Sequence, residues 1–183
     1  LQLVKQQDHL NRWYARVAQR LLQERAAQGK LSAEAIAELH TRVQNSADSG
    51  IALRALWTLY AVDQLTPEDL ATALAHQTDV LRAWAVQLGT QPGTAARLSS
   101  AQLLKLAKED PSSHVRLAVA SAMPDFPADL RWQIAEALAT HAQDANDRFL
   151  PKLLSTGIAE ATLADVPRAV QLAASTPLNS LTD

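Results

Sequence analysis

Three stretches of the chain repeat one short pattern: a polar turn, then an arginine inside a run of small and branched apolar residues. They are DSGIALRALWTLY at 48–60, QTDVLRAWAVQL at 77–88 and DPSSHVRLAVASAM at 110–123. Arg54, Arg82 and Arg116 hold equivalent places, with Arg16 a weaker fourth, at intervals of 38 (16 to 54), 28 (54 to 82) and 34 (82 to 116) residues. Similar units at roughly 30–45 residues are how stacked helix pairs are written, because one pair cannot bury its own apolar face and must lean on the next; the unequal intervals here make the repeat degenerate, or the fold an irregular bundle. The repetition therefore points to a tandem of helix pairs.

Composition agrees with helices and argues against sheet. Apolar residues are 48% of the chain but Phe, Trp and Tyr together only 4%, and there are five glycines. Alanine and leucine dominate the apolar set, and with Gln, Glu and Arg they are good helix formers. Strands would call for β-branched and aromatic residues, and their turns for glycine. Small residues also let the axes of stacked helices approach closely. D-x-x-x-x-V-R-x-x-A, matched loosely at Asp110–Val119, leans toward HEAT repeats, and the Trp/Gly/Tyr pattern of tetratricopeptide repeats is missing. The expected fold is all-α, a HEAT-like α-solenoid of about five antiparallel helix pairs, forming a single helical-repeat domain over residues 1–183.

About ten helices can be placed. Asn11–Gln28 carries Trp13, Val17 and Leu21 at helical spacing, with Tyr14, Ala18 and Leu22 alongside, and Gly29 as its stop. Ser32 opens SAEAIAELHTRV, with Ile36, Leu39 and Val43 on one side, and Asp48 or Ser49 opens the helix through Tyr60. TPEDLATALAH has the fullest start signal: Thr66 at the N-cap, Pro67 at N1, then Glu68 and Asp69 in the positive first turn. Further starts fall at Asp79, at Ser99 or Ser100, at Ser112 or Ser113, and at Pro127. The helix RFLPKLLSTGIAEA must hold Pro151 in its first turn or bend there, and the last begins near Pro167. The longest interruption is GTQPGTAAR.

Charge and cysteine content narrow the chemistry. The formal charge is −2, so no basic excess favours a phosphate backbone, and nucleic acid is not an expected partner. No apolar run approaches the roughly 18 residues of a membrane span. The absence of cysteine removes disulfides, thiol catalysis, zinc–thiolate sites and covalent haem attachment from this segment. The chain opens at Leu1 and stops at Asp183 soon after PRAVQLAAS, as a piece of a longer protein would.

Five sets of side chains are candidate sites. His9, His76 and His114 fall in turns before the arginine helices, and His40 and His141 lie elsewhere; no pair sits at i, i+4, so they read as exposed turn residues rather than metal ligands. The repeated arginines are expected to bond carboxylates or free carbonyls at neighbouring turns, with Asp48, Asp79 and Asp110 well placed to serve. Trp13, Trp57, Trp84 and Trp132 are expected to fill gaps between helices. The carboxylates cluster at caps and turns without an apolar setting for acid–base work. Ser112 and Ser113 beside His114 lack the strained elbow of a nucleophile. No catalytic, cofactor-binding or metal-binding residue is therefore assigned.

Several stretches in order resemble one group of large exported bacterial proteins: membrane-bound dehydrogenases with a C-terminal haem-binding domain, whose middle region carries degenerate HEAT repeats. The resemblance rests on NRWYARVAQRLLQERAAQGKL, ALRALWTLYAVDQLTPEDL, DVLRAWAVQL, DPSSHVRLAVASAMPDFPADLRWQIAEAL and HAQDANDRFLPKLL, which cover most of the chain. PKLLSTGIAEA departs from it in lacking aromatics after the proline. Such proteins have a sugar-dehydrogenase-like propeller before the repeats and a CxxCH cytochrome c-like domain after them. The resemblance thus implies a non-catalytic scaffold between those domains, in a parent oxidoreductase with c-type haem located in the periplasm or cell envelope. Its partners would be other domains of the same polypeptide or another protein. The alternative is an autonomous protein- or peptide-binding α-solenoid.

Overall fold

The computed structural model describes residues 1–95 and 97–178. Ala96, within GTQPGTAAR, and the last five residues of the expected 1–183 domain lie outside the described residues. Among the described residues the fold is all-α, with eleven α-helices, two short 3-10 turns and no strand. The chain divides into two compact units, Leu1–Arg97 and Leu98–Asp183.

The first unit holds α1 (Gln2–Gln6), α2 (Arg12–Ala27), α3 (Ala33–Asn45), α4 (Ser49–Ala61), α5 (Pro67–Leu74) and α6 (Asp79–Gly89). Each packs on its neighbour in sequence or on the helix two further along: α1 on α3 and α3 on α5, α2 on α4 and α4 on α6. Two rows of helices result, and their shared core is Leu39, Val43, Leu56, Leu59, Leu70, Leu81 and Val86, closed by Ala52, Ala55 and Ala85 where helices approach. α1 had no counterpart in the sequence reading. Five residues are too few to show a period, and Val4 alone is buried from it among its apolar residues.

The second unit holds α7 (Ser100–Glu109), α8 (Ser113–Ala122), α9 (Ala128–Leu138), α10 (Leu150–Ala164) and α11 (Val166–Ser175). α7 packs on α9 and α8 on α10, and α11 is bonded to α9 by Arg168 Nε to Glu136 Oε1 at 2.7 Å and by Thr176 Oγ1 to the Ala139 carbonyl at 3.1 Å. Trp132 is only 3% exposed, between this bonded end and the core of Val115, Val119, Ile134, Leu138, Leu150 and Leu154. The Arg168 guanidinium lies 5.1 Å from its ring centroid. The hydrogen bond it donates to Glu136 holds that guanidinium above its ordinary pKa, against its partial desolvation.

The helix ends follow local chemistry. Asn11, Ser32, Asp48, Thr66, Ser99 and Ser112 each accept a backbone N–H with their side chains. α6 begins at Asp79, with Thr78 rather than Asp79 in the N-cap position. Pro151 sits in the first turn of α10, where its missing N–H costs no bond, and Asp147 accepts the amides of Phe149 and Leu150 at 2.8 Å. Gly29 (φ +66°) ends α2 as expected, its amide bonding Ala26 while that of Lys30 bonds Arg25. At the end of α4 Asp63 adopts the same left-handed conformation, φ +56°.

At Thr66 the cap is reciprocal: its Oγ1 accepts the Asp69 amide at 3.2 Å, and Asp69 Oδ2 accepts the Thr66 amide at 3.0 Å. Thr66→Ala is expected to lower stability by about 1 kcal/mol, read as a lower urea midpoint at unchanged slope. An unchanged midpoint would remove this cap from the account of α5.

Gly157 on α10 sits where that helix closely approaches Met123. A Cβ there would stand 2.9 Å from Met123 Cβ and 3.1 Å from its Cε. Because Met123 Cβ is tied to the backbone, the side chain cannot simply swing away. Gly157→Ala, a helix-favouring change on propensity alone, is therefore expected to destabilise by about 1–3 kcal/mol. A rise in the thermal midpoint would show that α10 has room to shift.

Candidate functional site: a groove around Arg54

The repeated arginines do not behave alike. Arg82, fourth residue of α6, donates from Nη1 to the carbonyls of His76 and Gln77, both at 2.9 Å. Arg116, fourth residue of α8, donates from Nη1 to the Asp110 carbonyl at 2.7 Å. Each binds the chain where the preceding helix ends and carbonyls lack intrahelical partners. Arg131, fourth residue of α9, does the same to Phe126 at 2.6 Å and Pro124 at 2.7 Å. The sequence reading missed Arg131 because the turn before it, MPDFPAD, lacks the pattern that flagged the others.

Arg116 also pairs through Nε and Nη2 with both oxygens of Asp144, at 2.6 Å each. Neither side chain is more than 2% exposed. The expected carboxylate, Asp110, instead accepts the Ser112 amide at 2.9 Å and gives Arg116 its carbonyl. Asp48 likewise caps its own helix, accepting the Gly50 and Ile51 amides at 2.7 and 3.1 Å.

Arg54 is the exception. Its Nε is buried and meets no acceptor among the described residues. Two further buried polar atoms share that condition, the indole Nε1 of Trp57 and Oε1 of Gln7. All three residues line one groove of about 670 Å³ in the first unit. Two helical stripes flank it, each at i, i+3, i+4, i+7 spacing: Arg12, Ala15, Arg16 and Gln19 from α2, and Gly50, Leu53, Arg54 and Trp57 from α4. The α1–α2 turn, residues 7–10, contributes the remainder with Asp48.

The hydrogen bonds fix which way Gln7 faces. Thr58 Oγ1 donates to the Arg54 carbonyl at 2.7 Å, so it accepts from Gln7 Nε2, also at 2.7 Å. The amide oxygen of Gln7 is thereby left as the free end of a residue only 2% exposed. An unmet buried acceptor or donor costs about 1–3 kcal/mol, so three in one groove is a concentrated expense. Gly50 adds room: a Cβ there would stand 3.1 Å from Asp48 Oδ1 and 3.3 Å from Arg54 Nη1. The lining carries three arginines (12, 16 and 54) against two aspartates (8 and 48), a formal excess of +1. Asp8 is in turn neutralised by Arg42 at 2.8 Å.

The other candidates are placed as follows. His9 and His76 accept the amides of Asn11 and Thr78 through Nδ1, both at 3.0 Å, and His114 is exposed in the first turn of α8. His40 and His141 are not free turn residues. His40 Nδ1 stands 2.9 Å from Asp69 Oδ2, and His141 Nε2 is 2.8 Å from the Ala107 carbonyl. An ionised carboxylate and a carbonyl only accept, so these nitrogens carry the protons. Asp69 and Asp144 lie at a cap and a turn but are buried, and Thr66 and His40 bond the first and Arg116 the second. Among the described residues no three His, Asp or Glu side chains group as metal ligands.

The tryptophans also divide. Trp132 is buried as expected, but Trp13 is 60% exposed, stacked edge-on against Tyr14 at 5.0 Å. The buried stripe of α2 runs through Ala18 and Leu22, so Trp13 falls on its outer edge. Trp57 and Trp84 are half-buried and meet edge-to-face at 4.9 Å.

No family model, characterised protein or solved structure matches the chain. No helix among the described residues is long and apolar enough to cross a membrane.

Proposed function

We propose that this chain is a non-catalytic scaffold and interaction segment built as a HEAT-like α-solenoid. The observation that carries the reading is the recurring lock of a fourth-position arginine onto the carbonyls of the preceding turn, at Arg82, Arg116 and Arg131. A lock that recurs at three turns (before α6, α8 and α9) holds each of those helices to the end of the one before, as a stack of repeats requires. The two-row packing within each unit supports the same reading.

In the first form of this proposal the segment spaces a dehydrogenase-like propeller from a c-type haem domain in a larger exported protein. Its function is then geometric. The visible spectrum of the parent protein before and after dithionite tests this placement: sharp reduced α and β bands are expected, and a spectrum without them overturns it. A second form, an autonomous protein- or peptide-binding solenoid, is favoured by one specific observation, the groove around Arg54 with its unmatched polar atoms.

A further inference from the structure

We infer that the outer face of α2 is a docking surface for an acidic amphipathic helix of a partner protein. In this helix of 16 residues only Ala18 and Leu22 are buried. Trp13 and Tyr14 are 60% and 45% exposed, and Leu10 in the turn before them is wholly so. Val17 and Leu21, half-buried, extend the Trp13 stripe at i, i+4, i+8. Arg12, Arg16 and Arg20, all exposed, run beside that stripe one position earlier, so a basic edge borders an apolar one.

Charge identifies the partner. Residues 12–30 hold five cations, Arg12, Arg16, Arg20, Arg25 and Lys30, against Glu24 alone, a formal +4; the whole chain is −2, so the remainder sums to −6. Of the four arginines of α2 only Arg20 meets a carboxylate among the described residues, Glu24 at 3.5 Å. Nearby Asp8 and Asp48 are already engaged, the first by Arg42 at 2.8 Å and the second by the amides of Gly50 and Ile51. Helical residues four apart are separated by about 6 Å along the axis. Carboxylates at i, i+4, i+8 on a facing helix have the same rise, and each planar fork can take both oxygens of one. Trp, Tyr and Arg are also the side chains that dominate interface energies. An anionic bilayer fits this face less well. Glu24 lies on the side of Trp13 and Val17, eleven and seven residues further on, and would meet like charge there.

The inference deepens the interaction reading, on which it rests, by naming the partner's chemistry. The haem bands of the parent protein do not bear on it, so either can fail alone. The probe is a synthetic helical peptide with glutamates at i, i+4 and i+8 beside a leucine stripe. Its comparisons are a peptide of the same composition with the glutamates scattered around the helix, and vesicles of equal parts phosphatidylserine and phosphatidylcholine. In ¹⁵N-correlated spectra the Trp13 indole signal and the Nε–H signals of Arg12, Arg16 and Arg20 should move saturably with the laddered peptide. That peptide should bind at least about tenfold more tightly than the scattered one. Arg16→Glu should lose at least about tenfold and regain it with a peptide carrying lysine at the middle glutamate. Arg148→Glu, at an exposed arginine beside Phe149, should bind as the wild type does. The inference is overturned if no signal saturates, if the scattered peptide binds equally, or if the vesicles move the same signals as strongly. It is also overturned if the free protein pairs through this face, seen by light scattering as a doubled mass that Arg16→Glu abolishes.

Discussion

Replacing Arg116 by alanine is expected to destabilise the protein by about 3–5 kcal/mol. The cost comes less from the lost attraction than from what remains: Asp144, 2% exposed, would keep a buried carboxylate with neither of its two guanidinium bonds. The Asp110 carbonyl would lose its donor as well. Asp144→Ala should cost a similar amount from the other side. If that account is right, the singles are not additive. Arg116→Met combined with Asp144→Leu should recover most of the loss, because two apolar side chains need no matching charge. Urea unfolding of the four proteins in the cycle measures this directly. A double variant as unstable as the sum of the singles would mean that the pair supplies net stability and not merely mutual compensation. Arg116→Lys should fall between, keeping the charge but losing the planar fork.

The second large effect is expected at Trp132, where truncation to alanine should remove about 3–5 kcal/mol. Its ring is 3% exposed and capped by Arg168, which Glu136 holds in place. Trp13→Ala is the matched control. That ring is 60% exposed, so its loss should stay within about 0.5 kcal/mol. Thermal midpoints of the two variants compared with the parent settle the point. Equal losses would show that size, and not placement between α9 and α11, governs these tryptophans.

The caps were legible in the sequence because they are local: a side chain two or three residues from an orphan amide is written next to it, as at Thr66–Asp69 and Ser99–Gln102. Leu39 and Val43, the buried periodic residues of α3, were legible for the same reason. Asp144 was not, since it reaches Arg116 across 28 residues from a short 3-10 turn, and nothing in HAQDAND distinguishes it from its neighbours. Trp13 shows the limit of periodicity: two adjacent stripes of α2 are both apolar, and only the packing partners decide between 13-17-21 and 18-22. The groove was illegible for a third reason. Its deciding atom belongs to Gln7, just after a helix too short to announce itself, and Arg54 looks like every other repeat arginine until its acceptors are sought.

The neighbour-to-neighbour packing in each unit has a kinetic consequence. A helix that rests on the next, or the next but one, can find its partner without drawing together distant parts of the chain. Loop-closure entropy grows only slowly with length, but the first closures are small here, and low contact order is the property that correlates with fast folding. Structure can therefore nucleate at any well-capped pair, such as α3 with α4, and spread along the row. The same wiring works in reverse: unfolding should begin at the row ends and peel inward, leaving the middle helices the last to exchange their amide hydrogens.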